Sequence, residues 1–533
     1  MPHQIIQSFL LEQYANIYRS HPSDSTPLEP GEKARRMRSP PATRIIWSGD
    51  NSEPAAQLLA EYLRPATGFQ FPVEPFGDQD GLHIHLVARG NPPPDDAGFF
   101  SERYSIDVSP SGITISAETP SGLARGVQSL RQLLPPEVFL TRVEPGPWPV
   151  PCVSIKDEPR FRWRGLHLDV ARHFFSVADV CRFIDLLALH RFNQFHLHLT
   201  DDQGWRAEIR KYPLLTDAGS RRLQTLTGHQ QDRPRRYDGQ PYGGFFSQDD
   251  IRAIVAFAGR RKIVVVPEIE MPGHAQAAIA AYPGLGSGLG APETRCHWGV
   301  SQHIFNVEEK TISFLCDVLD EVIELFPSRF IHIGGDEAPK FEWSESARVQ
   351  ERMAELGIRS EEGLQSWFVG KIGKHLKRRD RRMIGWDEIL QGGLPHGATV
   401  MSWQGEEGGI RAAQAGHDVV MSPCQRVYFD HCQGPGPLEI GGHTTTEQVY
   451  AYEPVPEALD PAHVHHVLGS QGQLWTEYIR GRDRLDEMTY PRACALAEVL
   501  WLPADQKDYS RFQNALEEHR RRLRILGVNA YGN

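Results

Sequence analysis

Two adjacent carboxylates, Asp336 and Glu337, follow the apolar run Phe330-Ile-His-Ile333 and a pair of glycines. Acids delivered together can donate a proton, accept one, or stabilise a developing positive charge. Neighbouring side chains of a regular strand point to opposite faces, so both acids reach one pocket only if the chain leaves the strand before them. Gly334 and Gly335 permit that bend. The competing structural account is that Asp336 N-caps a helix opening at Ala338-Pro339, with Glu337 as a favourable first-turn charge.

The same pattern recurs along the chain. Arg172 and His173, Asp201 and Asp202, then Glu268, Glu270 and His274 each follow an apolar run, as do Trp386-Asp-Glu388, Trp403, Tyr428 with Asp430, and Trp475-Thr-Glu477. The runs are residues 165–169, 194–199, 263–267, 330–333, 383–385, 399–401, 419–421 and 467–469 with its continuation to Leu474. Helical periodicity separates most of them, over 177–190, 248–260, 310–325, 361–378 and 408–415. Eight strands alternating with helices predict an α/β fold, a (β/α)8 TIM barrel, in which the residues after each strand converge on one rim. Carboxylates, an arginine and three tryptophans around one pocket suit a sugar, whose C–H faces stack on indoles while its hydroxyls bond to charged groups. A lone tryptophan is more often core, but a shared position after barrel strands favours lining the pocket. His196 and His198 share one strand face and read as interior packing, with a metal-binding His-x-His as the other reading.

Before the barrel, residues 44–150 alternate short strands with a helix over 53–63 and a second over 121–134, a small α+β domain without clustered chemistry. The Pro-rich segment 146–151 ends it, the barrel domain is expected over 151–533, and residues 1–43 form an N-terminal extension with a helical pattern from Ile5 to Tyr18. A net charge of −11 and a pI near 6.1 argue against a nucleic-acid partner or an anionic membrane surface, both of which need a concentrated basic face. No apolar run reaches membrane-spanning length. The first residues lack a basic start and a small-residue cleavage site, which gives an expectation of a cytoplasmic protein, with secretion as the alternative. Seven cysteines without a CxxC pair oppose a disulfide scaffold or a zinc ribbon and leave a single bridge open.

Six ordered stretches carry a specific resemblance: Arg164-Gly-Leu-His-Leu-Asp-Val-Ala-Arg-His173, His196-Leu-His-Leu-Thr-Asp-Asp-Gln203, Pro267-Glu-Ile-Glu-Met-Pro-Gly-His274, His332-Ile-Gly-Gly-Asp-Glu337, Gly385-Trp386 and Leu474-Trp-Thr-Glu477. With them the chain resembles family 20 glycoside hydrolases, the β-N-acetylhexosaminidases, and its smaller domain resembles the noncatalytic domain of those enzymes. In that family the nucleophile is the substrate's own 2-acetamido carbonyl, an exception to the two-carboxylate scheme. The resemblance implies that Glu337 is the general acid and base, that Asp336 orients the acetamido group and stabilises an oxazolinium intermediate, and that Tyr428 donates to the acetamido oxygen. It implies an acetamide pocket walled by Trp386, Trp403 and Trp475, sugar hydroxyls held by Arg172, Asp430 and Glu477, and a Glu337 proton tuned by Asp201 and His274, with Glu337 starting protonated and Asp336 ionised.

The function expected is therefore an exo-acting, retaining β-N-acetylhexosaminidase acting on glycans or chitooligosaccharides with terminal GlcNAc or GalNAc, using neither metal nor other cofactor. A disaccharide-releasing enzyme of the same family is the near alternative. A metal-dependent amidohydrolase built on His196, His198, His274 and Asp336 is the remote one.

Overall fold

The computed structural model describes residues 36–38 and 43–532, apart from 78–80, 91, 289 and 435–439; the helical pattern expected over Ile5 to Tyr18 lies outside them. Eight strands close into a barrel in sequence order: β1 (Trp163–Asp169), β2 (Gln194–His198), β3 (Val264–Glu268), β4 (Phe330–His332), β5 (Arg382–Trp386), β6 (Thr399–Ser402), β7 (Val419–Met421) and β8 (Val467–Gly472), which returns to β1. All eight pairings are parallel. Strands of this kind are covered on both faces, which is why β3 and β7 read as short continuous apolar runs, whereas β1 and β2 alternate apolar residues with the buried His167, His196 and His198.

The helices between them begin where side chains can satisfy free backbone N–H groups. Ser176 with Asp179 opens Val177–Leu189, and Ser247 with Asp250 opens Gln248–Arg260, each as a reciprocal capping box. Inside the barrel Trp163, Val266, Phe330, Ile384, Trp386, Met401, Val420 and Leu468 pack as one cluster. Trp163 and Phe330 begin their strands, and Phe99 of the preceding domain lies with its ring centroid 6.4 Å from one and 6.1 Å from the other. That loop stoppers the lower end of the barrel and leaves the upper rim open.

The preceding domain is α+β. Its mixed six-stranded sheet runs Val73–Pro75, Arg44–Ser48, His83–Ala88, Gly112–Ala117, Tyr104–Ser109, Ser154–Asp157, with helices Glu53–Thr67 and Pro120–Leu133 packed on it. Its last strand comes from beyond the Pro-rich segment, of which Pro149–Pro151 pairs with Arg36–Arg38. Proline is tolerated in such an isolated two-stranded ribbon, where only one edge donates. Among the described residues no helix is long and apolar enough to cross a membrane, and all seven cysteines carry free thiols.

One buried ion cluster joins the two domains. Glu102 accepts from Arg125 Nε at 3.0 Å and Nη2 at 2.8 Å and from Arg164 of β1, while Arg125 also donates to the Lys262 carbonyl at 2.7 Å. Burial alone would raise the Glu102 carboxyl; the two guanidinium groups outweigh it and hold it below its ordinary value. Neutralising one member strands buried charge, at a cost of about 3–5 kcal/mol. Glu102→Gln is therefore expected to lower the melting temperature at neutral pH. Because the native carboxyl titrates below its ordinary value of 4.5, the wild-type advantage is complete above that pH and shrinks as pH falls through the depressed native value. Equal melting of the two proteins at pH 7 would show that the cluster does not join the domains energetically.

Candidate active site

The turn after β4 does what the two glycines permit. Gly334 and Gly335 have φ of 66° and 93°, and a Cβ on Gly334 would fall 1.7 Å from Glu270 Oε2. The chain leaves the strand there, so Asp336 turns into the pocket with its side chain 11% exposed while Glu337 stands at the mouth, 42% exposed. Lys340, not Asp336, caps the helix Phe341–Glu345, so the N-cap account of the two acids does not hold. Glu337 and His274 both adopt positive φ, 40° and 48°. For residues other than glycine this costs on the order of 1–3 kcal/mol each and persists where surrounding packing enforces it.

His274 binds the two acids to the rest of the rim. Its Nε2 lies 3.6 Å from Asp336 Oδ2 and 3.7 Å from Glu337 Oε2, and its Nδ1 lies 3.2 Å from Asp201 Oδ1. The other Asp201 oxygen is 2.8 Å from Arg172 Nη2 and 3.0 Å from His198 Nε2. Asp169, at the end of β1, accepts from the Arg172 backbone N–H at 3.1 Å and pairs with its guanidinium at 3.3 Å, which fixes the turn that presents Arg172.

The pocket has a volume of about 320 Å³ and is lined by Arg172, His274, Asp336, Glu337, Trp386, Trp403, Tyr428, Asp430, Trp475 and Glu477, together with Cys424, His431, Ile440 and Gly441. Trp386 and Trp475 stand 5.8 Å apart between ring centroids, and Trp403 stacks on Tyr428 at 6.2 Å and 17°. Trp403 donates to Glu388 Oε2 at 3.0 Å. Asp336 Oδ1, Asp430 Oδ1 and His274 Nε2 are buried without a hydrogen bond to the protein, the ion-pair contacts of His274 Nε2 at 3.6–3.7 Å being too long for one. Such orphaned groups are costly and need a reason; aimed into one pocket, they are vacant hydrogen-bond positions for a polar ligand.

In the free site Asp336 is raised and Glu337 lowered. Burial first, then the Glu337 charge, against the attraction of His274, pushes Asp336 up to about 7. His274 draws the more exposed Glu337 below the usual carboxylate range. His274 itself is cationic: burial would discharge it, but Asp201 and then Asp336 hold it well above the ordinary imidazole value. Burial raises Asp430 and Glu477, and each adds to the other or to nearby acids. Burial, then Asp430, raises Tyr428 well above the usual phenol, so it remains a donor.

Ten of the eleven site residues named from sequence thus face one cavity, and Asp201 lies directly behind it between Arg172 and His274. The three tryptophans contribute to the wall, although Trp386 is also part of the barrel interior. His196 and His198 are fully buried as packing predicts, but His198 uses both ring nitrogens on carboxylates, Nδ1 on Glu268 at 2.5 Å and Nε2 on Asp201 at 3.0 Å. Among the described residues His196, His198 and the pair His274 with Asp336 fall in three separate clusters, so the amidohydrolase ligand set is not assembled. Sequence reasoning gave no role to Glu268, Glu388, Cys424 or His431. The last two follow β7 like Tyr428, and their position was the available signal.

The comparisons agree with this geometry. The model of glycosyl hydrolase family 20, catalytic domain, matches residues 161–504, and that of the same family's domain 2 matches residues 32–158. A β-hexosaminidase of Porphyromonas gingivalis is 43% identical over 493 residues, covering 91% of this chain and 61% of the relative, so the chain spans about three fifths of that protein's length. One from Vibrio furnissii is 39% identical, covering 85% of this chain and 72% of the relative. The solved β-N-acetylhexosaminidase of Streptomyces coelicolor A3(2) superposes with a TM-score of 0.80 at 32% identity, covering 95% of this chain and 96% of the other. A mutant Streptomyces plicatus β-hexosaminidase in complex with its product, GlcNAc, gives 0.79 at 32%, with 94% of each chain covered. The chain belongs to glycosyl hydrolase family 20.

Proposed function

We propose that the protein is an exo-acting, retaining β-N-acetylhexosaminidase that removes terminal non-reducing β-linked GlcNAc or GalNAc by substrate-assisted catalysis. The observation that carries this reading is the Asp336–Glu337 pair on one imidazole, inside a pocket walled by three tryptophans and Tyr428. The relatives named for this activity support it. A cavity of about 320 Å³ closed by Arg172, Asp430 and Glu477 suits one sugar ring, which favours release of a monosaccharide over a disaccharide.

The sugar's hydroxyls bond to Arg172, Asp430 and Glu477. Its acetamido N–H donates to the unpartnered Asp336 Oδ1, and Tyr428 donates to the acetamido oxygen, so that oxygen is held against the anomeric carbon. Proximity of this kind replaces a bimolecular encounter. The same contacts move the proton. An N–H donor favours ionised Asp336, while the aglycone covers Glu337 and disfavours its charge. The one proton of the pair passes to Glu337, which gives it to the leaving oxygen as the acetamide closes on the anomeric carbon. Ionised Asp336 then faces the positive oxazolinium, and Glu337 takes a proton from the water that opens it. Substrate binding thereby arms the acid that the empty site leaves discharged.

Glu337→Gln is expected to lower kcat by about 10²–10⁴-fold with poor leaving groups, and far less with activated aryl glycosides that need no acid. Asp336→Asn is expected to lose about 10²–10³-fold even on activated substrates. Wild-type turnover by either variant would contradict these roles.

Aryl β-GlcNAc or β-GalNAc is expected to be hydrolysed, and the aryl β-glucoside, without an acetamide, to give no useful turnover. Comparable rates on all three would require a protein nucleophile.

The active pair carries one proton, so kcat/KM, which reports the free enzyme, is expected to fall as pH rises through about 7, the value to which Asp336 is raised. The alkaline fall in kcat lies higher, because the bound aglycone raises Glu337. Coincident alkaline limbs would exclude the transfer.

A further inference from the structure

Glu268 ends β3 beneath the pocket and touches no part of the space a sugar would fill, yet three other strands converge on it. Its Oε2 lies 2.5 Å from His198 Nδ1 and 3.0 Å from His196 Nε2, both on β2; its Oε1 lies 2.7 Å from His332 Nδ1 on β4 and 2.9 Å from Trp386 Nε1 on β5. The side chain is fully buried. Each of those strands leads directly into the site: β2 to Asp201, β4 to Asp336 and Glu337, and β5 ends on Trp386 itself.

We propose that Glu268 is a positioning residue of the reaction, which acts through His198 and Asp201 on the catalytic pair and through the indole of Trp386 on the acetamide wall. From Glu268 the contacts run through His198, Asp201 and His274 to Asp336 and Glu337, with every step at 3.7 Å or less. The charges along this line alternate. His198 faces a carboxylate at each nitrogen and can donate to both only as an imidazolium. Burial would discharge it; Glu268 foremost, with Asp201 and Asp169, instead holds it up to about 10. Glu268 in turn is held ionised against burial by His332, His198 and His196. The other titratable groups facing this line are Arg172, 2.8 Å from Asp201 Oδ2, Asp202, 3.6 Å from His274 Nδ1, His167 of β1, 4.9 Å from His196 between ring centroids, and Glu270, whose Oε1 is 3.9 Å from His198 Nδ1. His167 is pushed well below the usual imidazole range by burial and then by His196, and Glu270 well above the usual carboxylate range by burial and then by Asp336, so both are neutral. Neither can replace the charge of Glu268.

Glu268→Gln preserves shape and removes that charge. His198 then loses its strongest anionic support and gives up its second proton within the assay range. Asp201 loses a charged donor, and the balance it sets at His274 changes. The role rests on the function proposed above, so the test is kinetic and uses the full chain with an aryl β-GlcNAc substrate. The alkaline limb of kcat is expected to move to lower pH by about one to three units in Glu268→Gln, the size of shift an opposite charge at this range produces. Glu268→Asp, which keeps the charge, is expected to restore the limb most of the way. His198→Asn, which leaves Glu268 its other three contacts, is expected to lower kcat, and Glu268→Gln added to it to lower kcat by less than it does in the wild type, because the two act through one line of contacts. A Glu268→Gln protein with an unmoved profile, a His198→Asn protein with wild-type kcat and profile, or losses that multiply independently would each overturn the proposal; the second holds even if Glu268→Gln fails to fold. Wild type inactive on aryl β-GlcNAc would sink the functional reading and this role together, whereas an active wild type with unresponsive variants would sink this role alone.

Discussion

The constraint on which this site depends is an excess of buried carboxylates over buried cations. Asp169, Asp201, Asp202, Glu268, Glu270, Asp336, Asp430 and Glu477 all lie buried at the upper rim, and the cationic groups acting on them are Arg172, His198 and His274, with Arg206 and Arg222 towards Asp169 and Arg492 towards Asp430. Low-dielectric surroundings do not tolerate so many unpaired anions. Burial, the largest cause in each case, raises Glu270, Asp430, Glu477 and Asp336 and so favours their neutral forms. The outcome is a pocket close to neutral when empty that becomes strongly favourable for positive charge once one acid ionises. An oxazolinium is the kind of intermediate such a pocket stabilises, and no separate anion has to be brought in for it.

Much of this was legible in the sequence because barrel geometry turns order into proximity. All eight strands lie where continuous apolar runs predicted them, and residues as distant in the chain as Arg172 and Glu477 meet because each follows a strand end. The Gly334-Gly335 pair announced the bend that separates Asp336 from the strand. What the sequence did not carry was depth. Nothing in Asp336-Glu337 as two letters says that one is buried and the other exposed, and that difference raises the one and leaves the other to be lowered by His274. The roles of Glu268 and His198 were hidden for a related reason. A histidine on a strand reads as packing unless the carboxylate on the adjacent strand is known to be in register, and here His198 is paired with Glu268 across β2 and β3.

Two of the non-glycine residues held at positive φ sit at the same place as the charge. His274 and Glu337 approach each other from two loops, both at positive φ, and the loops touch closely enough that a Cβ on Gly273 would meet Ala338 Cα at 3.1 Å. The charge network and the fold are thus mutually supporting. His274 is held in its conformation by bonding to Asp201 and by the close passage of the loop after β4, and that loop can pass closely because three glycines lack side chains there.

The second domain contributes at the opposite end. Phe99 fills the lower mouth of the barrel and Glu102 binds Arg164 at the start of β1, whereas the pocket opens at the upper rim. An element that reaches the first residues of β1 and β4 can set where those strands begin and how tightly the barrel closes, but it has no surface in the pocket. Its energetic role is to hold the strands in register, and a shift of one residue in β2 or β3 would turn His198 and Glu268 to opposite faces. The buried charge that joins the two domains and the buried charges of the pocket thus lie at opposite ends of the barrel, so that the first can be changed without touching the second.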